Sequence, residues 1–161
     1  MRLSKGGWIS LLVILLLVTD QVIKFAVKLN MTIGESIPVF GDWFQICFIE
    51  NNGMAFGMEL FGKLFLTSFR LVAVCFLFYY LMRLLRSTTK PFGYIVCVTL
   101  VLAGALGNLV DCLFYGEIFS DSHGGVATFV PWGEGYGEFL YGKVVDMFHF
   151  PLFSFDWPEW I

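Results

Sequence analysis

The chain has 161 residues, of which 58% are hydrophobic and only 14% are charged, and its mean hydropathy is +0.77. Soluble domains carry about 25% charged residues, so this composition excludes an ordinary soluble protein and indicates one dissolved in a lipid bilayer. The net charge of -3 comes without a basic stripe, which argues against a nucleic-acid partner. The four cysteines form no CxxC pair, and no histidine lies near them in sequence, so we expect neither a metal nor a cofactor.

Three apolar segments are long enough to cross a bilayer, at about residues 8–29, 64–85 and 92–114. Each has the roughly 20 residues that a helix needs to span the hydrocarbon core. The first segment also has the basic residues before it that a secretory signal peptide would have. However, the polar and bulky residues after Val18 do not resemble a cleavage site, which favours a membrane-spanning helix.

Basic residues are concentrated before the first segment and in the short link between the second and third. Arg83, Arg86 and Lys90 fill that link, whereas residues 30–62 carry four acidic residues and no Lys or Arg. Under the positive-inside rule, the N-terminus and this link are therefore cytoplasmic. The region between the first two segments, and everything after Phe114, is then expected outside.

The two outer regions differ in composition. Residues 42–50 are rich in aromatic and β-branched side chains, which predicts a short strand at the membrane surface. Asn51-Asn52-Gly53 follows it with the composition of a turn. Residues 115–142 are rich in glycine and aromatics and contain no spanning run, so we expect a long extracytoplasmic loop there.

An acidic and a basic residue lie in the outer half of the first segment, where charges are costly and usually have a task. Asp20 and Lys24 are four residues apart, so on a helix they share a face and can pair. We favour an ion pair that orients the helix, with Lys24 directed outward to the interface.

A second polar group lies at the outer end of the third segment. Asn108 and Asp111 are three residues apart and share a helix face, and Gly104 and Gly107 before them favour close helix approach. In isolation, this motif would also fit a packing face whose polar end is near water.

The predicted topology brings these groups to one level. Asp20, Asn108 and Asp111 lie at the outer ends of two helices, and Asn51 and Asp146 lie in the outer regions. We therefore predict an active site near the outer membrane surface. Two carboxylates held close there could share a proton and activate a water molecule, as in aspartic proteases.

Four motifs occur in order along the chain: Asp20-x-x-x-Lys24, Asn51-x-Gly53-x-Ala55-Phe56, Gly104-x-x-Gly107-Asn108-x-x-Asp111 and Val144-Val145-Asp146-Met147-Phe148. Together they resemble the motifs of the lipoprotein signal peptidase (signal peptidase II) family. The resemblance implies a bacterial inner-membrane aspartic endopeptidase that removes signal peptides from prolipoproteins ahead of a lipid-modified cysteine. It also implies an α-helical polytopic fold with a small extracytoplasmic β element, forming a single membrane-embedded peptidase domain across residues 1–161.

The resemblance implies roles for individual residues. Asp146 matches the first of two catalytic aspartates of the family. Five further residues are expected to bind substrate or to support the site: Asn51, Asn108, Asp111, Asp20 and Lys24. The implied partners are diacylglyceryl-modified prolipoproteins and membrane lipid.

Two features depart from the family pattern. Cys112 follows Asp111, where the family often has an arginine that can hold a substrate carbonyl or a carboxylate. The family's last motif, of the form Asn-x-Ala-Asp, supplies the second catalytic aspartate and opens a fourth helix. It does not occur here, and the later acids Asp156 and Glu159 lack its flanking pattern. We therefore expect the second aspartate beyond Ile161, a C-terminally incomplete domain with three of the four helices, and no activity from the present chain alone.

Two other functions stay open at this point. The chain could be a catalytically dead polytopic protein of the same fold. It could also be a small transporter or channel component with Asp20, Lys24 and Asp111 as a polar pathway. A pathway would need polar residues through the depth of the membrane, whereas these cluster outward, which disfavours transport.

Overall fold

In a computed structural model, which describes residues 2–51 and 62–152, three long helices carry a small sheet at one end. The helices are α1 (Lys5–Asn30), α2 (Gly62–Arg86) and α3 (Phe92–Val110). A π-helical turn (Asp111–Tyr115) and a short helical turn (Gly116–Ile118) follow α3 directly. The strands β1 (Ser36–Phe40), β2 (Phe44–Asn51) and β3 (Val144–His149) form one antiparallel sheet in the order β1-β2-β3.

The three helices are long and apolar enough to cross a membrane, which confirms the three predicted spans. Their outward-facing residues are large and apolar; Val22 in α1 and Val72 in α2 are 61% and 66% exposed. Such surfaces suit lipid as the surrounding solvent. α1 begins three residues earlier than predicted because the Ser4 hydroxyl accepts a hydrogen bond from the Gly7 amide and caps the helix.

The third helix is the centre of the bundle, since α3 packs against both α1 and α2. Their shared core consists of buried aliphatic residues: Ile9, Val74, Leu81, Leu84, Ile95, Leu102 and Leu109. A second core joins the outer end of α1 to the sheet and contains Val27, Met31, Phe48, Tyr115, Phe119, Val145 and Met147. The sheet is therefore anchored on the helices by its own apolar face.

The sheet confirms one predicted strand and adds two that were not predicted. β2 corresponds to the predicted stretch at residues 42–50, whereas β1 and β3 form by pairing on either side of it. The register places Glu50 opposite Val145 and Ile49 opposite Asp146. The second motif after Asn51, including Gly53, Ala55 and Phe56, lies outside the described residues, as do Asp156 and Glu159.

The loop after the third helix folds back onto the end of that helix. The Gly142 amide donates to the Cys112 carbonyl at 2.9 Å, and the Thr67 hydroxyl of α2 donates to the Leu140 carbonyl at 2.9 Å. A Cβ at position 142 would collide with the Asp111 carbonyl oxygen, so the glycine permits this close return. The loop thereby delivers β3, and Asp146 with it, to the end of α3.

Candidate active site

Lys24 is the centre of a polar cluster inside the bundle. Its side chain is 3% exposed, and its ammonium group contacts Asp111 Oδ2 at 2.7 Å, Asn108 Oδ1 at 3.0 Å and Asp20 Oδ2 at 3.3 Å. One side chain from α1 therefore joins both predicted polar motifs. The expectation that Lys24 is directed outward is wrong, because the helix rotation turns it towards α3, where two carboxylates compensate its charge.

Asp111 lies at the start of the π-helical turn and is fully buried. One of its carboxylate oxygens accepts hydrogen bonds from Lys24 and from the Val145 amide at 3.1 Å, and the other accepts from Gln21 Nε2 at 3.2 Å. Asp111 is therefore enclosed by its neighbours and is not open to solvent. Its carboxylate instead fastens β3 to α1 and α3, directly beside Asp146.

Gln21 links the members of this cluster, although nothing in the amino-acid sequence around it predicts a functional role. Its Nε2 donates to Asp20 Oδ2 at 3.1 Å and to the Gly107 carbonyl at 3.2 Å, while its Oε1 accepts from the Tyr115 hydroxyl at 2.8 Å. Each polar atom of the amide is thus satisfied within the bundle. Tyr115 was not predicted to belong to the site either, because the glycine-rich stretch that begins with it was predicted to be a loop.

The two glycines of the third motif have different environments. A Cβ at Gly107 would collide with the Asp20 carboxylate, so this glycine makes the space that Asp20 occupies. A Cβ at Gly104 would meet no atom within 4 Å. The predicted close approach is therefore found at Gly107 and not at Gly104.

Asp146 opens onto a polar cavity of about 400 Å³ between α1, α3 and β3. The cavity is lined by Asp20, Lys24, Asn108, Val145, Asp146, Met147 and Phe148. Asp146 is exposed, in contrast to the buried Asp111. Three of the five residues predicted to converge, Asp20, Asn108 and Asp146, therefore line one cavity together with Lys24, and Asp111 lies behind them.

A largely apolar cleft of about 290 Å³ adjoins this cavity, and the two share Asp20, Met147 and Phe148 as lining residues. The rest of the cleft is formed by α1 and α3, through Leu16, Thr19, Ile23, Leu100, Ala103 and Gly104. An extended apolar molecule with a polar centre fits this pair of neighbouring spaces.

Asn51, like Asp111, is a predicted site residue that does not line the cavity. It is the exposed last residue of β2, opposite Val144 and two positions along β3 from Asp146. The residues after it lie outside the described part of the chain.

Arg70 in α2 is another residue near the site that was not predicted from the sequence. Arg70 Nη1 lies 3.0 Å from Cys112 Sγ, and Arg70 and Asn108 line a small void of about 180 Å³. The Arg70 guanidinium of α2 thus contacts Cys112, the residue at which the sequence departs from the family motif. The sequence feature that could have indicated a role for Arg70 is its position as a basic residue within an apolar segment.

Comparisons with known proteins agree with this geometry. The sequence profile of the Signal peptidase (SPase) II family matches residues 12–160. The lipoprotein signal peptidase of Porphyromonas gingivalis strain ATCC 33277 is 49% identical over 160 residues, which are 99% of this chain and 70% of that protein. The lipoprotein signal peptidase of Amoebophilus asiaticus strain 5a2 is 33% identical over 153 residues, which are 92% of this chain and 61% of that protein.

A solved structure described as a bacterial membrane enzyme has the same fold, with a TM-score of 0.63 and 25% sequence identity over 94% of this chain and 79% of its own. Three spanning helices with a polar site beneath a small sheet therefore define a membrane-embedded enzyme. The family resemblance of the four motifs is confirmed: the chain belongs to the signal peptidase II family, which is a family of proteases.

Proposed function

We propose that this protein is a membrane aspartic endopeptidase that removes signal peptides from prolipoproteins ahead of a lipid-modified cysteine. Family membership and the relatives, which are lipoprotein signal peptidases, support the peptide-cleaving function. The observation that supports the aspartic mechanism is Asp146, an exposed carboxylate on the wall of a polar cavity. No cofactor is needed for this chemistry.

Asp146 acts as a general base that takes a proton from the attacking water, which the cavity has room to hold. The mechanism needs a second carboxylate that carries the shared proton. Asp111 does not suit that role, because its carboxylate is buried and already bonded to Lys24, Gln21 and the Val145 amide. The family resemblance implies that an aspartate other than Asp111 completes the pair.

The other cavity residues support the site. Lys24 is the charged centre that holds Asp20, Asn108 and Asp111 in place. The amide oxygen of Asn108 accepts a hydrogen bond from Lys24, and its amide nitrogen is a donor group suited to orient a substrate carbonyl at the cavity. The resemblance assigns Asn51 to the substrate site as well.

The adjoining cleft suits the apolar parts of the substrate. A prolipoprotein carries an apolar signal segment and acyl chains on either side of its scissile bond. With the apolar part in the cleft and the bond in the polar cavity, Asp146 lies next to the reacting carbonyl. The shared wall of Asp20, Met147 and Phe148 makes this arrangement continuous.

We infer that the enzyme is a multi-pass protein of the bacterial inner membrane, with its N-terminus in the cytoplasm. Arg83 and Arg86 in the last turn of α2 support a cytoplasmic position for that end. The polar cavity lies at the opposite end of the bundle and therefore at the extracytoplasmic face.

Complementation tests the proposed function. The protein, completed with the family's last motif and fourth helix, is expressed in cells depleted of their own signal peptidase II, and processing of a diacylglyceryl-modified prolipoprotein is followed by gel shift. We expect mature lipoprotein to form, and a prolipoprotein whose lipid-bearing cysteine is replaced by serine to stay uncut. A membrane-inserted protein that leaves the lipidated precursor uncut would instead be a catalytically dead member of the family.

A further inference from the structure

A second buried charge cluster lies one helical turn beyond Lys24, outside the cavity. Lys28 of α1 is fully buried, and its ammonium group forms a close ion pair with Glu50 of β2, whose side chain is 3% exposed. Lys28 also donates to Ser122 Oγ at 2.8 Å, and Ser122 donates to Glu50 Oε1 at 3.1 Å. Three segments distant in sequence therefore meet in one hydrogen-bonded cluster.

Aromatic rings complete the surroundings of the ammonium group. The rings of Phe48, Phe119 and Tyr136 have centroids 5.7, 5.5 and 4.9 Å from Lys28 Nζ, at distances typical of cation–π contacts. Burial raises the pKa of the Tyr136 phenol, whose oxygen accepts a hydrogen bond from the Lys143 amide at 2.8 Å. The ammonium group is thus enclosed by partners from β2 and from the long loop.

A serine beside a lysine is also the arrangement of Ser–Lys hydrolases, in which lysine activates the serine. That role does not fit here. Ser122 is 2% exposed, and Glu50 engages the lysine as an ion pair. A catalytic Ser–Lys pair requires a neutral lysine amine as the base and an accessible serine hydroxyl as the nucleophile. This cluster is therefore not a second catalytic centre.

The position of Glu50 in the sheet connects the cluster to the active site. Glu50 is paired with Val145 across the β2–β3 ladder, and Val145 directly precedes Asp146. On the other side, the Val145 amide is bonded to Asp111, which Lys24 holds. Two lysines one turn apart on α1 therefore anchor the same part of the ladder, one through β3 and one through β2.

We propose that Lys28 and Glu50 are positioning residues for Asp146. Their ion pair anchors the β2–β3 ladder on α1 and so sets the position of the Asp146 carboxylate relative to the polar cavity. This inference rests on the proposed function of Asp146. It predicts that losing the pair reduces turnover more than substrate binding. Most of the cleft lining belongs to α1 and α3, and only Met147 and Phe148 move with the ladder. A displacement of about 1 Å at the reacting group, in contrast, costs roughly 100-fold in rate.

The test uses the protein completed with the family's last motif and fourth helix, and measures kcat and KM separately for Lys28→Met, Glu50→Gln and the double variant on a diacylglyceryl-modified prolipoprotein. We expect kcat to fall about 10- to 100-fold with KM changed by less than about threefold. The double variant is expected to lose about as much kcat as either single variant, because both remove one interaction. It also removes both charges of the pair, whereas Glu50→Gln leaves the buried Lys28 uncompensated and Lys28→Met leaves Glu50 with Lys143 at 3.7 Å.

A distance measurement reports the position of the sheet without any activity. Spin labels are placed at Leu15 on α1 and Ile49 on β2, both exposed, in a background without native cysteines. We expect a narrow distance distribution in the parent protein and a broadened or shifted one in the double variant. The matched control is Asp121→Asn, which removes an exposed acid next to Ser122 and should change neither kcat nor the distribution.

An unchanged distribution in the double variant would overturn the proposal, and so would a parent-like kcat. A rise in KM with unchanged kcat would overturn it as well. Asp146→Asn is measured in parallel: if that variant cuts at the parent rate, the proposed function fails, whereas the distance result still decides whether the ion pair positions the ladder.

Discussion

Lys24 is a single buried cation on which two motifs depend. Its ammonium group compensates the fully buried Asp111 and the partly exposed Asp20. Removing one partner of a buried ion pair leaves an uncompensated charge, which is far more costly than removing both. The stability of the site should therefore respond differently to single and paired substitutions.

We expect Lys24→Met to lower the free energy of unfolding by about 3–5 kcal/mol, and Lys24→Met combined with Asp111→Asn to recover part of that loss. Unfolding in mixed detergent micelles measures both variants. A double variant less stable than Lys24→Met alone would show that the Asp111 charge is not compensated by Lys24.

Asp20→Asn provides the milder comparison. The Asp20 side chain is 27% exposed, and Lys24 keeps its shorter contact to Asp111 when Asp20 is neutral. We expect a loss of about 1 kcal/mol, seen mainly as lower abundance in the membrane. Abundance is compared with turnover per folded molecule, and a large loss of turnover at normal abundance would assign Asp20 to the chemistry instead.

Helix α3 carries a matched pair of glycines that tests how closely it approaches α1. Gly107→Ala places a methyl group against the Asp20 carboxylate, whereas Gly104→Ala fills open space in the apolar cleft. Both changes favour a helix equally, by about 1 kcal/mol. We expect Gly107→Ala to destabilise by about 1–3 kcal/mol relative to Gly104→Ala, measured by the same unfolding assay. Equal stability of the two would contradict the close contact between α1 and α3.

The predictability of each element depends on how local its signal is. The three helices were predictable because apolar length is a property of a continuous segment. β1 was not, because Pro38 argues against a strand, and the structure accommodates it at the edge of the sheet. β3 was not either, since Val144 and Val145 are both buried and the strand lacks strict alternation. It forms by pairing with β2, which the sequence of β3 alone does not show.

Those parts of the site that depend on residue spacing within one helix and on membrane topology were predictable. The i,i+4 pairing of Asp20 with Lys24 follows from the sequence, as does the shared level with Asn108. The contact between Lys24 and Asp111 depends on how α1 is rotated against α3, which spacing within one helix cannot give. Lys28 and Glu50 were missed for the same reason, because their partners meet only through the sheet and the loop.

At the scale of the whole molecule, the orientation in the membrane is the first prediction. Single cysteines at Thr88 and His123, in a background without native cysteines, are treated in intact cells with an impermeant thiol reagent. We expect labelling at position 123 and protection at position 88. His123 suits this test because its side chain is 64% exposed, whereas its neighbour Ser122 is buried. The opposite pattern would place the polar cavity on the cytoplasmic side.

The most direct test of the aspartic mechanism is the activity of Asp146→Asn beside Asp121→Asn. Both substitutions replace an exposed acid with its amide, but of these two acids only Asp146 lines the polar cavity. Both variants are made in a version completed with the family's last motif and fourth helix, and processing of a diacylglyceryl-modified prolipoprotein is measured at equal amounts in the membrane. We predict that Asp146→Asn lowers the rate by about 100-fold or more while Asp121→Asn keeps the parent rate. An Asp146→Asn protein that processes the precursor at the parent rate would contradict the catalytic role of Asp146.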